Sequence, residues 1–330
     1  MKLDDGPYRL VTQSDFDGVV SAALLRERGL VDEVKFVHPR DVADRLIELG
    51  ERDIGAGVPY VDTVAVAFDH RLSERLRNGD SPKYVVDPTS PSTARVIYNY
   101  FGGPEAFPNI RKDLMEAVDR ACAGRFSWEE VLGPTGWALL YFVIDARTGL
   151  GRWGNFRVSN QQLMLDLVEY CTELSIDEIL ELPDVSERVS LYRSHEMAFQ
   201  EQVRRCSRLY QNVLVVDFTG EDELYAGNRF VKFALFPDAN VAVQITWGFE
   251  RQHLQLTVSK SIFNRTSSLN VGALLLQFDG GGYADSGTCQ VPTDKAPAVL
   301  EEIVERLSAV PAETASNRFR YIRKSESADD

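Results

Sequence analysis

The chain has 330 residues, 44% of them hydrophobic and 26% charged, which excludes a largely disordered or collagen-like protein and predicts two domains. Lys plus Arg number 36 against 50 Asp plus Glu, a net charge of -14, and this argues against a long duplex nucleic acid as partner. The opening MKLDDGPYRL has two acids where a signal peptide needs an apolar stretch, and no apolar run approaches a membrane span, so a cytoplasmic protein with no membrane partner is expected. In chain order, β-branched apolar runs predict strands at 8–12, 34–37, 64–68 and 83–86, alternating with helices at 19–28, 42–49 and 92–101, the last capped by Ser92 or Thr93. A helix follows at 110–123, and Gly133-Pro134 breaks the pattern after a further short one. Residues 160–210 lack a strand signal, and 184–210 reads as a connecting helix with Pro183 in its first turn. Alternation returns at 213–218, 230–236, 242–247 and 254–258, and helices are predicted at 269–277 and 296–307. The fold class is therefore α/β, a mostly parallel sheet followed by helices and then an α+β domain. The polar C-terminal segment reads as a flexible tail in which Phe319 and Tyr321 are the groups able to dock. Cys122, Cys171, Cys206 and Cys289 form no CxxC pair, as suits free thiols better than a zinc ribbon or a disulfide scaffold.

Three stretches concentrate chemistry. In VTQSDFDGVVSAALL, Asp15 and Asp17 follow the first predicted strand and precede a helix, the edge at which ligands bind in open α/β sheets. Residues two apart in an extended segment face the same way, so the two carboxylates can share one divalent cation or a pair, although Asp17 alone reads equally as a helix cap. Gly18 lets the backbone turn tightly into the helix. Asp69 and His70 end the predicted strand at 64–68, which sets them on the same edge, and imidazole beside carboxylate suits Mn, Fe or Zn. Alone, such a pair is more often a loop hydrogen bond, and two such clusters at parallel strand ends favour the metal reading. Gly280, Gly281 and Gly282 leave backbone N–H groups able to approach an anion, or form a flexible turn.

Taken together, SDFDG at 14–18, the triplet Asp69-His70-Arg71, the helix entry VVDPTSPSTARVIYNYF and the loop GGGYADSGT resemble the DHH phosphoesterase superfamily. VPYVDTVAVAFDH, PTGWALLYFVIDARTGLGRW, AGNRFVKFALFP and SKSIFNRTS are similar to its exopolyphosphatase-related branch, and the likeness runs over residues 8–308. It implies an N-terminal DHH domain (1–155), a helical linker (156–210), a DHH-associated substrate-binding domain (211–311) and a tail (312–330), with the active-site cleft between the domains. It also implies hydrolysis of a phosphodiester or phosphoanhydride with one or two divalent metals, usually Mn2+. By position, Asp15, Asp17, Asp53, Asp69 and His70 become ligands, with Asp62 the rival of Asp53. Asp69, His70 and Arg71 form the catalytic triplet. Asn228, Arg229, Lys260, Arg265, Gly280, Gly281, Gly282 and Tyr283 face the substrate. A homodimer is a further expectation from the family.

The departures from the pattern bear on activity. Arg71 stands where the family has a second histidine, Tyr283 where its glycine loop ends in histidine, and Cys122 where its fourth motif has a metal-binding acid, after Asp119. Gln13 replaces a histidine found in related branches. Arg and Tyr cannot serve as acids near neutral pH as His does, and a thiolate ligand shifts preference toward Zn or Fe. Residues 212–311 hold 7 Lys or Arg against 12 Asp or Glu, so any anion site there is focal, which favours a short phosphate-containing or nucleotide substrate. Two readings follow: a metal-dependent phosphoesterase, or a degenerate member that binds nucleotide or phosphate without turnover.

Overall fold

The computed structural model describes residues 6–79 and 81–308; the segment 312–330, with Phe319 and Tyr321, lies outside them. It forms two units, one of residues up to Ser194 with Ala226–Asn228, the other of His195–Tyr225 and the chain from Arg229 onward.

In the first unit YRLVTQ is β1 (Tyr8–Gln13), and Leu10 and Val11, which point to opposite faces, are both fully buried. That is the signature of a strand covered on both sides. α1 (Phe16–Glu27), β2 (Val31–Val37), α2 (Pro39–Ala43), β3 (Asp53–Ala56), β4 (Val66–Asp69), α3 (Leu72–Asn78), β5 (Tyr84–Val86) and α4 (Thr93–Tyr100) follow. The helical part continues as α5 (Lys112–Cys122), α6 (Trp128–Leu132), α7 (Gly136–Ile144), α8 (Asn160–Glu173), α9 (Ile176–Glu181) and the part of α10 (Pro183–Cys206) up to Ser194. The five strands are all parallel in the order β2-β1-β3-β4-β5. One face packs Val11, Val37, Val42, Val64 and Ala67. On the helical side α1 buries Val19, Val20, Ala22, Ala23, Leu24 and Leu25 against α4, α5 and α8, so it is apolar nearly all round.

Two expectations for this unit change. The predicted helix at 42–49 shrinks to α2, because Arg45 adopts a positive φ of 57° that no helix continues through. β3 escapes prediction altogether: its four residues DIGA include a glycine and an alanine and carry almost no β pattern.

The second unit is a mixed sheet ordered β10-β11-β9-β8-β7-β6, from β6 (Ser207–Tyr210), β7 (Val213–Asp217), β8 (Val241–Trp247), β9 (His253–Lys260), β10 (Gly281–Gly282) and β11 (Ser286–Pro292). Its helices are α11 (Val231–Leu235), α12 (Val271–Leu275) and α13 (Ala296–Leu307). Along β7 the side chains alternate: Val213 and Val215 pack with α12 and α13, Leu214 and Val216 with Val203 and Phe233. α13 buries Ala296, Leu300, Ile303, Val304 and Leu307 at helical spacing. Residues 230–236, predicted as a strand, form α11 instead, since a short apolar run does not distinguish the two periods. No helix among the described residues is long and apolar enough to cross a membrane.

One buried charge stands out in this unit, on α11. Lys232 is 5% exposed, and its Nζ donates to Gln244 Oε1 at 3.4 Å. Burial, helped by the like charge of Arg229, lowers its pKa to about 8 from 10.5. Between those two values the unfolded chain binds the extra proton, so stability rises with pH across that window, and below it the full burial cost is present. Lys232→Met should therefore stabilise the protein at pH 7, by at most about 3 kcal/mol, with the gain shrinking toward pH 10.5. Thermal melts of both proteins at the two pH values check this.

Candidate active site

With strand order β2-β1-β3-β4-β5, the chain leaves β1 first to one side and then to the other, so β1 and β3 flank a topological switch point. The crevice beyond their carboxyl ends is the natural ligand site of such a sheet. Gln13, the last residue of β1, bridges it by donating from Nε2 to the Gly57 carbonyl just past β3. Gly18 explains the tightness of the turn that follows: a Cβ there would lie 2.0 Å from the Gln13 carbonyl oxygen, so only glycine brings α1 this close to β1.

This turn presents both acids at the crevice. Asp15 is the N-cap of α1, accepting from the Gly18 N–H at 2.9 Å. Asp17 reaches across to the start of α4, where its two oxygens accept from the Thr93 and Ala94 N–H groups at 2.9 and 2.8 Å. His70, just past β4, stands 4.0 Å from Asp17 and shares Nδ1 with Thr93 Oγ1 at 3.0 Å. Burial and the neighbouring Asp17 charge raise the Asp15 carboxyl to about 6, against the Gly18 N–H and Arg147, which pull it down. Burial also opposes the charge on Arg147, but Asp145, which accepts from its Nε at 2.7 Å, and Asp15 outweigh that.

Cys122 ends α5 within electrostatic reach of Asp15 and Asp17. It keeps exposed surface, yet desolvation and then the charges of Asp17, Asp15 and Asp119 push its thiol well up, a combination expected on the wall of a recess. Asp119, one turn earlier, is committed elsewhere: it accepts from Ser92 Oγ and from the Arg95 guanidinium. Asp15, Asp17 and His70 thus share this edge with Thr93, named from the sequence only as a helix cap, and Cys122 and Arg147, the latter not singled out from the sequence, lie within electrostatic reach of the acids. Arg147 sits in a loop after an apolar helix, and only its place next to Asp145 marked it in the sequence.

Other expected site residues lie differently. Asp53 pairs in register with Arg9, at the amino end of β1, about 13 Å along the strand from Gln13. There it accepts from Arg9 Nε and Nη2 at 2.7 and 2.9 Å and from the Gly50 N–H at 2.7 Å. Asp53 is therefore a structural ion-pair partner on the opposite edge, and its rival Asp62 is exposed ahead of β4, also on the amino side. The broad surface recess lined by Arg9, Glu33, Arg52 and Asp53 belongs to that same far edge and not to the acid pair. Asp69 reaches the carboxyl edge, but both its oxygens are held by Arg71. Among the described residues no three His, Cys, Asp or Glu side chains form a ready-made metal cage.

Asn228 is 1% exposed in the first unit and gives both amide hydrogens away, to the Val131 carbonyl and Tyr192 Oη at 2.8 and 3.1 Å. It is a packing residue and offers no face to a substrate. In the second unit Lys260 pairs with Asp285 at 3.1 Å beside the glycine stretch, and Arg229 lies over the Phe230 ring. Arg265 is exposed, its Nε donating to the Ile262 carbonyl. Gly281 and Gly282 pair as β10 with β11, and the Gly280 and Tyr283 N–H groups donate to Leu275 and Ser286 carbonyls. The glycines have packing reasons: a Cβ on Gly282 would meet Gly287 Cα at 2.3 Å, and one on Gly280 would meet the Thr288 carbonyl at 2.5 Å. Tyr283 keeps half its surface exposed.

Because Gln13, Gly18 and Asp17 set the crevice, Gly18→Ala should lower the melting temperature by several degrees. Asp17→Asn, which halves the acceptor capacity at the α4 terminus, should cost about 1 kcal/mol. Thermal or chemical denaturation of the two variants measures both effects.

No protein-family model matches the chain, and no curated protein does. Among solved structures it is similar to the pGpG-specific phosphodiesterase PggH from Vibrio cholerae, with a TM-score of 0.80 and 46% identity over 91% of this chain and 98% of that one. The RecJ structure with Mn2+ from Thermus thermophilus shares the fold at TM-score 0.53 and 15% identity, covering 92% of this chain and 52% of that one. So does the DHH domain of a member of a ribosomal-protein family, at TM-score 0.56 and 12% identity over 94% and 88%. A likeness of 46% over nearly the whole of both chains, on a sheet whose switch point carries the SDFDG acids, establishes that this chain belongs to the DHH phosphoesterase superfamily.

Proposed function

We propose that the protein is a metal-dependent phosphodiesterase acting on a short nucleotide substrate, a linear dinucleotide such as pGpG being the first to test. The observation that carries this is the Asp15 and Asp17 pair at the switch point, which the tight turn at Gly18 presents together at the crevice, Asp15 as the N-cap of α1 and Asp17 on the start of α4. Such a pair fits a divalent cation, with solvent or substrate oxygens completing its shell. The phosphodiesterase relative named for pGpG supports the substrate class, and Mn2+ is the metal to try first.

A divalent ion held by Asp15 and Asp17 would lower the pKa of a bound water and neutralise phosphoryl oxygens. The chain's own residues supply the rest. Arg147, kept charged by Asp145 and near Asp15, is suited to a phosphate oxygen. His70 has Nδ1 fixed by Thr93, so its Nε2 is the nitrogen left to ligate or to move a proton. The rival reading, nucleotide binding without turnover, draws on Arg71, Cys122 and Tyr283.

Incubating the purified protein with Mn2+ and pGpG, beside a longer oligonucleotide and a generic phosphodiester, separates the two. The expected outcome is conversion of pGpG to GMP, slower cleavage of the longer chain, and at least a hundredfold loss in Asp17→Ala. Binding of pGpG with no product, together with activity gained by the triple variant Arg71→His, Cys122→Asp, Tyr283→His, would overturn hydrolysis in favour of binding.

A further inference from the structure

Asp69 ends β4 at the carboxyl edge of the sheet, and its side chain has no exposed surface. One oxygen accepts from the Arg71 N–H at 2.8 Å and from Nε at 2.9 Å; the other accepts from Nε at 3.1 Å and Nη2 at 2.5 Å. A carboxylate with both oxygens in a guanidinium fork is already neutralised. An ion seeking Asp69 would have to displace a guanidinium that is only 13% exposed and binds both its oxygens. On the β5 side the nearest acid is Asp87, whose oxygens already accept from the Thr89 N–H, Thr89 Oγ1 and Ser90 Oγ, and the β3 side offers no replacement ligand. Residues 56–60, just past β3, contain no Asp, Glu or His, and Asp53 is bound to Arg9 on the other edge.

We infer that Arg71 takes the place of a second metal ion: it holds Asp69 in a neutral pair, so the chain holds one divalent cation at Asp15 and Asp17. This rests on the metal reading of those two acids. Arg71 acts here through Asp69, as a positioning residue that keeps this carboxylate from becoming a ligand. The departure from the family triplet is then a change of metal count, and the single imidazole of His70 remains for the one ion or the substrate.

Equilibrium dialysis against Mn2+ followed by elemental analysis counts the ions on the intact chain. One ion per wild-type chain, none in Asp17→Ala and two in Arg71→His is the expected result. Two ions on the wild type would overturn this inference while leaving the site at Asp15 and Asp17 standing. None on the wild type would overturn that site and the inference with it. An Arg71→His protein that melts like the parent and still binds one ion would overturn the role given to Arg71. Electron paramagnetic resonance of the Mn2+-saturated wild type needs no variant: the spectrum of an isolated ion supports the inference, and that of an exchange-coupled pair rejects it.

Discussion

The Asp17 carboxylate joins the turn after β1 to the start of α4, accepting from two backbone N–H groups that the helix leaves without partners. Because each oxygen takes one N–H, the carboxylate is oriented as well as held, and the partial positive charge of the α4 terminus offsets its own. Gly18 makes this possible by letting α1 begin against the Gln13 carbonyl. Thr93 then does double service, its backbone N–H on Asp17 and its hydroxyl on His70. The acid pair, the histidine and two helix starts are fixed relative to one another by this one set of contacts.

Three aspartates of the family-like motifs are held by arginines instead. Asp53 takes Arg9, Asp69 takes Arg71 and Asp119 takes Arg95. Each pair is at least partly buried, where a carboxylate without a partner would be strongly unfavourable. Asp15 and Asp17 instead accept from backbone N–H groups, and burial together with the Asp17 charge raises the Asp15 carboxyl. A chain with a net charge of -14 therefore directs very little of its acidity to the crevice. Most of the rest is surface or internal pairing.

The fold was legible because its main elements are long and strongly patterned. β1, α1, α4 and α13 fall within a few residues of their expected bounds. The placement of Asp15, Asp17 and His70 at the carboxyl edge was legible because motif and strand end coincide there. The site was misread where a short element intervened. DIGA was not recognisable as β3, and without that strand nothing showed that Asp53 begins it, on the amino edge, whereas Ala56 ends it. Asn228 was misread for another reason: an amide in a loop reads as exposed until the chain folds it between Val131 and Tyr192.

Sequence by itself determined the two-part architecture, the family and the acid pair, since periodicity, a glycine at a forced close approach and the SDFDG spacing are all local properties. Tertiary structure alone decided which charges are free. Whether an aspartate faces a metal or an arginine depends on which edge of the sheet it reaches and on what side chain lies opposite, and residues as far apart as Arg9 and Asp53 share no local signal. Even Asp69 and Arg71, two positions apart, could not be assigned to each other without the fold. Only the turn into α3 brings the guanidinium back onto the carboxylate.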